Sequence, residues 1–260
     1  MELEDFDAFL QDAKQYTSLI ACHVFGDPLT VSNLSDYLDL IEKHAMKAEL
    51  TTSGYFLNKH GESTLFHKAV KQINISLNSF NKNESALSFD QYMKPILTLC
   101  KRKNSVNPSI FINLRLWNLD NEISEASYNR DVFSLLENTF MADLKSEAIY
   151  KEKPKSIRLD EKILLHFDHY FEWPSLENKN YGDGTCQGLQ SHIAVLADGT
   201  VVPCCLDGNG IISLGNIHKQ NISEILDTQR AKTMLSGFKK SIAVEELCQK
   251  CSYKERFSLS

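Results

Sequence analysis

The stretch that decides the fold is residues 186–204, which reads CQGLQSHIAVLADGTVVPC. Two runs rich in apolar and β-branched residues flank the pair Asp198-Gly199. Such a pair between two runs of this kind predicts a β-hairpin, because glycine tolerates the positive φ that a two-residue turn requires. A hairpin brings its two ends together, so we expect Cys204 to return towards Cys186.

Two more cysteines follow in a short loop, Cys248-Gln-Lys-Cys251. Two intervening residues let both thiolates face one metal, and four soft sulfur ligands suit either an iron–sulfur cluster or zinc. We therefore predict metal ligation by Cys186, Cys204, Cys248 and Cys251. The alternative is four buried thiols or two disulfides, although a long chain without an export signal is not a typical disulfide scaffold.

The spacing of these cysteines resembles the auxiliary-cluster domain of radical SAM enzymes, which is called SPASM or, in a shorter form, twitch. The resemblance rests on Cys186, Gly199, Cys204 and the C-x-x-C at 248–251, with Leu214-Gly-Asn-Ile217 before a helical segment. SPASM domains continue with further cysteines and hold two [4Fe–4S] clusters. Because this chain has no cysteine after position 251, it is similar to the twitch form, which implies one auxiliary [4Fe–4S] cluster on four cysteines.

Composition limits the class of protein. The chain has 260 residues, 42% of them hydrophobic, which is ample for one large domain or for a large and a small one. The formal net charge is -6, without a basic run, so nucleic-acid binding is not expected. No apolar stretch approaches the roughly 20 residues of a membrane helix. An acidic N-terminal stretch and seven cysteines predict a cytoplasmic protein.

Strand-like and helix-like segments alternate before residue 176. Strand patterns occupy 17–24, 47–52, 72–77, 109–117, 157–159 and 163–167, and helical patterns occupy 3–15, 32–45, 62–70, 89–101 and 129–144. This alternation predicts βαβ units and a parallel sheet. The polar segment 176–185 reads as a linker, so we expect domains at 1–176 and 177–260. The second is a small α+β domain with the hairpin.

The loops that follow the predicted parallel strands carry polar or glycine clusters, and function concentrates at such strand ends. These segments resemble the radical SAM fold, an incomplete (β/α)6 TIM-type barrel. Phe25-Gly-Asp-Pro28 resembles the Gly-Gly-Glu-Pro motif that meets the amino group of S-adenosylmethionine (SAM), with a shorter carboxylate. The segments 52–54 and 76–78 resemble the family's Thr-Asn-Gly and Ser-Leu-Asp. The resemblance implies SAM contacts for Gly26, Asp27, Pro28, Thr52, Ser53, Gly54, Ser76 and Arg115.

Arg115 is the expected partner of the SAM carboxylate, because a guanidinium pairs bidentately with a carboxylate. A structural salt bridge is the alternative for this arginine. His166 has two interpretations as well: it lines a substrate pocket, or it belongs to a strand that closes the barrel. No catalytic residue can be named from these patterns.

A radical SAM enzyme also needs a C-x-x-x-C-x-x-C loop after its first strand, and these 260 residues contain none. Cys22 and Cys100 lie in apolar segments and read as core thiols, and Cys205 reads as a neighbour of a ligand. The chain thus resembles a radical SAM protein without its first strand, and we expect the polypeptide alone not to cleave SAM. An intact form is expected to use SAM, an electron-donor protein and a small-molecule or peptide substrate. The alternative function is a non-catalytic zinc-binding structural protein.

Overall fold

The structure is a computed structural model that describes residues 1–82, 86–119 and 123–257. The chain forms two compact units. The sheet unit consists of Thr17–His23 and Asp27–Tyr170, and the cysteine unit consists of Met1–Tyr16, Val24–Gly26 and Phe171–Ser260. Residues 1–16 thus group with the C-terminal unit, while the boundary after residue 176 stays a prediction.

The strands of both units, in chain order, are as follows. They are β1 (Leu19–Cys22), β2 (Lys47–Thr52), β3 (Val70–Ser76), β4 (Phe111–Leu116), β5 (Ser156–Asp160), β6 (Ile163–Phe167), β7 (Ala194–Val195), β8 (Thr200–Val202) and β9 (Gly215–Asn216). The helices are α1 (Leu3–Ala13), α2 (Leu34–Lys43), α3 (Glu62–Leu65), α4 (Asn78–Lys82), α5 (Phe89–Val106), α6 (Ile123–Phe140), α7 (Ser146–Glu152), α8 (Ile222–Leu226), α9 (Gln229–Lys239) and α10 (Glu246–Gln249). The six strand patterns predicted before residue 176 correspond to β1–β6.

The sheet unit is built on a six-stranded sheet with the order β1-β2-β3-β4-β6-β5. The first four strands and β6 run parallel to their neighbours, whereas β5 is antiparallel to β6. The reason is the connection: only Glu161 and Lys162 separate β5 from β6, and a parallel pair needs a crossover of about a dozen residues or more. The predicted α/β class is confirmed, with β5 as the departure from a wholly parallel sheet.

The two faces of this sheet differ in chemistry, because successive residues of a strand point to opposite sides. One face carries the fully buried apolar side chains of Leu50, Ile73, Ile75, Ile112, Leu114 and Leu165. The opposite face, here called the polar face, carries Glu49, Thr51, Gln72, Asn74, Asn113, Arg115 and His166. Burial of the apolar side chains stabilises the unit, at about 25 cal/mol per Å² of apolar area, and leaves the polar face for other contacts.

The cysteine unit has its own core. Its apolar centre contains Val201, Ile212, Leu214, Ile225, Ala231, Met234, Phe238 and Leu247, and Cys186 and Cys248 pack against that centre. Helix α8 starts at a capping box, in which Asn221 accepts the Glu224 backbone N–H at 2.9 Å. The Asp12 carboxylate of α1 accepts the Ile222 N–H at 2.7 Å, which ties α1 to this unit.

Candidate functional site

The predicted hairpin forms, but its loop has three residues, 197–199, rather than two, because the pairing continues to Leu196, whose N–H donates to the Thr200 carbonyl at 2.8 Å. Strands β7 and β8 pair antiparallel, with Ala194 opposite Val202. Gly199 has a φ of +81°, and the Thr200 N–H donates to the Asp198 carboxylate at 2.9 Å. The Asp-Gly pair therefore lies at the turn, because glycine adopts this positive φ without a steric penalty.

A second glycine allows the segment after Cys186 to approach Cys204. A Cβ added at Gly188 would lie 3.0 Å from the Pro203 carbonyl oxygen and 3.5 Å from the Cys204 Cβ. The next residue, Leu189, donates its N–H to the same carbonyl at 3.2 Å. The Gly188 N–H also donates to the Cys186 sulfur at 3.4 Å. A side chain at position 188 would therefore require the Pro203 carbonyl to shift.

The C-x-x-C loop is held by one contact just before it and by another within it. The cap residue of α10, Glu245, accepts a two-pronged ion pair from Arg230, with N···O distances of 2.7 and 2.8 Å. This bidentate geometry is stronger than a single charged hydrogen bond. Within the loop the Tyr181 N–H donates to the Gln249 carbonyl at 2.8 Å. The segment that leads to the first ligand cysteine is thereby joined to the segment that carries the last two.

These local features bring the four predicted ligands together. Each of the thiols of Cys186, Cys204, Cys248 and Cys251 interacts electrostatically with the other three. All four are partly buried, and all seven cysteines of the chain are free thiols, so the alternative of two disulfides has no support in the structure. Cys205 adjoins the group and interacts with Cys186.

Burial sets the protonation of these thiols. Desolvation raises the pKa of Cys204 to about 12, and it raises the pKa values of Cys186, Cys248 and Cys251 as well. Backbone N–H groups oppose the shift, as at Cys251, where those of Tyr253 and Lys254 point to the sulfur. Without a metal the thiols are therefore protonated at neutral pH, and metal binding must release their protons.

Of the two cysteines expected in the core, Cys100 is buried and Cys22 is half-buried. Burial raises the pKa of Cys22 in β1 and of Cys100 in α5 to about 12. Both belong to the sheet unit. A thiol of this kind is unreactive at neutral pH.

The C-x-x-C loop contacts a buried lysine, Lys254, which the sequence patterns did not indicate. Lys254 is only 3% exposed. Its Nζ donates to the carbonyl oxygens of Cys248, Gln249 and Cys251 at 3.0, 3.1 and 3.1 Å. Burial lowers the pKa of Lys254, and the nearby thiols Cys251 and Cys248 act in the opposite direction.

The sheet unit holds a second set of predicted site residues at the ends of its strands. Asp27 Oδ2 accepts hydrogen bonds from Thr52 Oγ1 at 2.9 Å, from the Ser53 N–H at 2.8 Å and from Ser53 Oγ at 2.7 Å. Its Oδ1 accepts the Leu29 N–H at 3.0 Å and so caps the 3-10 turn Pro28–Thr30. Each carboxylate oxygen offers about two acceptor sites. Oδ1 accepts only one hydrogen bond, so it retains one acceptor site.

A tyrosine that the sequence patterns did not single out joins the ends of β2 and β3. The fully buried Tyr92 of α5 donates its hydroxyl to the Ser53 carbonyl at 2.7 Å and lies 3.5 Å from that of Ser76. Burial raises the pKa of Tyr92, which keeps its hydroxyl protonated as a donor. Gly54, with a φ of +89°, leaves it room, since an added Cβ would lie 3.1 Å from Tyr92 Oη.

Arg115 and His166 are neighbours on the polar face, in register on β4 and β6. The Arg115 guanidinium lies 5.1 Å from the centre of the Trp117 ring, and Trp117 Nε1 donates to His166 Nδ1 at 3.3 Å. Burial lowers the pKa of His166, and the charge of Arg115 lowers it further. His166 is therefore a neutral acceptor at pH 7, with its proton on Nε2.

The remaining predicted residues lie near the start of this region. Pro28 opens the 3-10 turn. Gly26 belongs to the cysteine unit and is exposed, with no atom within 4 Å of an added Cβ. Within the same unit, Phe25 covers Gly208, where a Cβ would lie 2.5 Å from that of Phe25, and its ring meets Trp173 edge-on at 6.0 Å. Phe25, at the first motif position, is nevertheless 68% exposed.

Comparisons with known proteins agree with this geometry. The SPASM family, described as an iron–sulfur cluster-binding domain, matches residues 186–252. In sequence the chain matches no curated protein. The chain therefore carries a SPASM iron–sulfur cluster-binding domain, which confirms that part of the predicted resemblance.

Three solved structures share the fold. BtrN in an open conformation has 15% identity and a TM-score of 0.56, covering 97% of this chain and 80% of that one. BtrN in complex with AdoMet and 2-DOIA has 13% identity and a TM-score of 0.55, with coverage of 97% and 80%. Histidine-tagged anSMEcpe with bound AdoMet has 16% identity and a TM-score of 0.55, with coverage of 97% and 78%. Both proteins are radical SAM enzymes, so the predicted radical SAM fold is confirmed.

The structure also bears on membrane association. Among residues 1–82, 86–119 and 123–257, no helix combines the length and the apolar character that crossing a membrane requires.

Proposed function

We propose that this 260-residue polypeptide binds one auxiliary [4Fe–4S] cluster through Cys186, Cys204, Cys248 and Cys251. The observation that carries the proposal is that these four thiols, from two separate segments of the cysteine unit, are close enough for each to interact electrostatically with the other three. A [4Fe–4S] cluster takes four thiolate ligands, so the donor set fits the group. The match to an iron–sulfur domain over 186–252 supports iron over zinc.

Four protein ligands on one cluster define its role. Each iron of the cluster would then have a protein thiolate, so no iron would be open to SAM. A cluster bound in this way would supply one-electron transfer. The residues of the chain hold and shield it: Arg230 fixes the start of α10, and Gly188 permits the close approach of Cys186 and Cys204. We propose that the protein belongs to an oxidoreductase system of the radical SAM type. We also propose that the protein is located in the cytoplasm.

For SAM we propose a site at the strand ends of the sheet unit, formed by Asp27, Pro28, the 52–54 segment, Ser76 and Arg115, with Gly26 preceding it in the chain. Bound AdoMet in BtrN and anSMEcpe supports the choice of ligand. In this arrangement Asp27 mainly fixes the 52–54 segment, and its Oδ1 retains one acceptor site for an ammonium group. Arg115 would pair with the carboxylate of SAM.

The chemistry of SAM cleavage needs a cluster with one iron open to SAM. These 260 residues contain no C-x-x-x-C-x-x-C motif for it, so we propose that the polypeptide by itself does not cleave SAM. Formation of 5′-deoxyadenosine by reconstituted, reduced protein would contradict this. A system that does cleave SAM would act on a small-molecule or peptide substrate and would draw electrons from a donor protein.

The test of the cluster assignment is metal analysis after anaerobic purification and reconstitution. The protein should contain about four iron and four sulfide per chain, as one [4Fe–4S] cluster requires. Cys204→Ala should lose both, whereas Cys205→Ala, a matched change at the adjacent thiol, should retain them. Stoichiometric zinc without sulfide would instead favour the zinc-binding structural protein, and iron retained by Cys204→Ala would contradict the ligand assignment.

A further inference from the structure

The side chain of Lys254 contacts the backbone of the C-x-x-C loop. It lies in the 3-10 turn Ser252–Phe257, just beyond the residues that match the SPASM family. Its Nζ reaches three carbonyl oxygens, those of Cys248, Gln249 and Cys251, at 3.0 to 3.1 Å. An ammonium has three N–H donors, so these acceptors satisfy all of them and fix the shape of the C-x-x-C loop.

The stem of the same side chain lies against the segment that leads to Cys186. A Cβ added at Gly184 would lie 3.2 Å from Cδ and 3.4 Å from Cε of Lys254. Nζ also lies 5.7 Å from the centre of the Tyr181 ring. One side chain therefore joins the two segments that carry three of the four ligand cysteines.

The charge of this side chain needs a counterpart. Burying a cation is costly unless an opposite charge compensates it, even where every hydrogen bond is made. Carbonyl oxygens supply only partial charge. Four thiolates around a [4Fe–4S] core carry a net negative charge that grows by one on reduction, and the potential of a cluster depends on the charges and hydrogen bonds around it.

We propose that Lys254 is a positioning residue for the cluster, which shapes the C-x-x-C loop and stabilises the reduced cluster through its charge. The inference rests on the proposed function. It makes two separate claims about the holoprotein: loss of the ammonium shortens the retention of iron, and it lowers the reduction potential, because a nearby positive charge favours the added electron.

The experiment compares Lys254→Met, which keeps the length of the stem and removes the charge, with Lys254→Arg, which keeps the charge. Lys240→Met, at an exposed lysine of the same unit, is the control for a lost surface charge. Each protein is purified anaerobically and reconstituted. Iron and sulfide, retention against a chelator, far-UV circular dichroism on heating, and a redox titration followed by absorption and electron paramagnetic resonance are measured.

We expect Lys254→Met to show a reduced-to-oxidised ratio at least tenfold lower at a fixed potential, which is about 59 mV for a one-electron couple. Lys254→Arg should restore most of that ratio. Loss of iron from Lys254→Met with unchanged thermal unfolding of the apoprotein also supports the proposal. A ratio and a retention equal to those of Lys240→Met would overturn it, as would unfolding of the apoprotein, which would make Lys254 an ordinary core residue.

The outcome for the wild-type protein separates the two proposals. A wild-type protein without iron and sulfide contradicts the proposed function and the inference together. A wild-type protein with a cluster that Lys254→Met leaves unchanged contradicts the inference alone.

Discussion

The carboxylate of Asp27 provides the sharpest test of the sheet unit, since it accepts hydrogen bonds from four donors on two segments. The change to test is Asp27→Asn, which preserves shape and replaces one acceptor oxygen with an NH₂ group. If the remaining oxygen faces Thr52 and Ser53, the NH₂ group faces the Leu29 N–H and the helical cap is lost. If the oxygen turns to Leu29, the NH₂ group meets three other donors.

The magnitude follows from the less costly orientation. Loss of an Asp cap costs about 1 kcal/mol. The bonds from Thr52 and Ser53 become neutral and lose about half their strength, for about 1–2 kcal/mol more. We therefore expect the free energy of unfolding to fall by about 2–3 kcal/mol. Removal of one partner of a buried hydrogen bond lowers it by a similar amount.

The assay is urea unfolding of the sheet unit. Trp117 and Trp173 are the two tryptophans of the chain, so a Trp173→Phe background leaves Trp117 as the fluorescent reporter in that unit. Asp131→Asn, at an exposed position of α6, is the matched control, because surface changes usually stay within about 0.5 kcal/mol. Equal unfolding midpoints for the two variants would refute the argument that Asp27 organises the strand ends.

Three further changes test neighbouring features. Tyr92→Phe should lower the free energy of unfolding by about 1–2 kcal/mol, because it removes the part-buried hydrogen bond that the tyrosine hydroxyl donates to the Ser53 carbonyl. Gly54→Ala should cost about 1–3 kcal/mol, because alanine is strained at its positive φ and crowds Tyr92. His166→Asn should flatten the pH dependence of stability: burial lowers the folded pKa of His166, so the unfolded chain takes up the proton first and stability falls as pH drops below about 6.5.

Each change has a control in the same unfolding assay. Asp131→Asn serves again for Tyr92→Phe, and Gly61→Ala serves for Gly54→Ala, because a Cβ at this exposed glycine of the sheet unit would lie 3.8 Å from Ser63 Oγ, an ordinary contact. For His166→Asn the wild-type protein is the reference for the pH profile. A Tyr92→Phe or Gly54→Ala protein as stable as its control, or an unchanged slope between pH 7 and pH 5 in His166→Asn, would contradict the corresponding prediction.

Local patterns were sufficient to predict the parts of the fold that depend on neighbouring residues. The hairpin around Asp198-Gly199 is an example, because Gly199 supplies the positive φ of its turn, although the loop includes a third residue, Ala197. The strand patterns at 47–52 and 109–117 likewise predicted β2 and β4. The antiparallel direction of β5 follows from the short Glu161-Lys162 connection, which the alternation of segments alone does not reveal.

Contacts between distant residues were not predictable in this way. Asp12 caps Ile222 across 210 positions, and nothing in either local sequence indicates the pairing. Tyr92 was missed for the same reason, since its hydroxyl donates to a carbonyl 39 positions away. Lys254 was missed although its acceptors lie only three to six positions away, because the local sequence does not show that its side chain is buried. A lysine close behind a C-x-x-C pair is a signal that could have drawn attention to Lys254.

The most direct measurement is anomalous diffraction at the iron edge, from crystals of the protein purified without oxygen. We predict one compact iron peak in contact with the sulfur atoms of Cys186, Cys204, Cys248 and Cys251. A peak at the zinc edge in that position, or iron bound elsewhere with any of the four sulfur atoms left outside its coordination, would contradict the assignment.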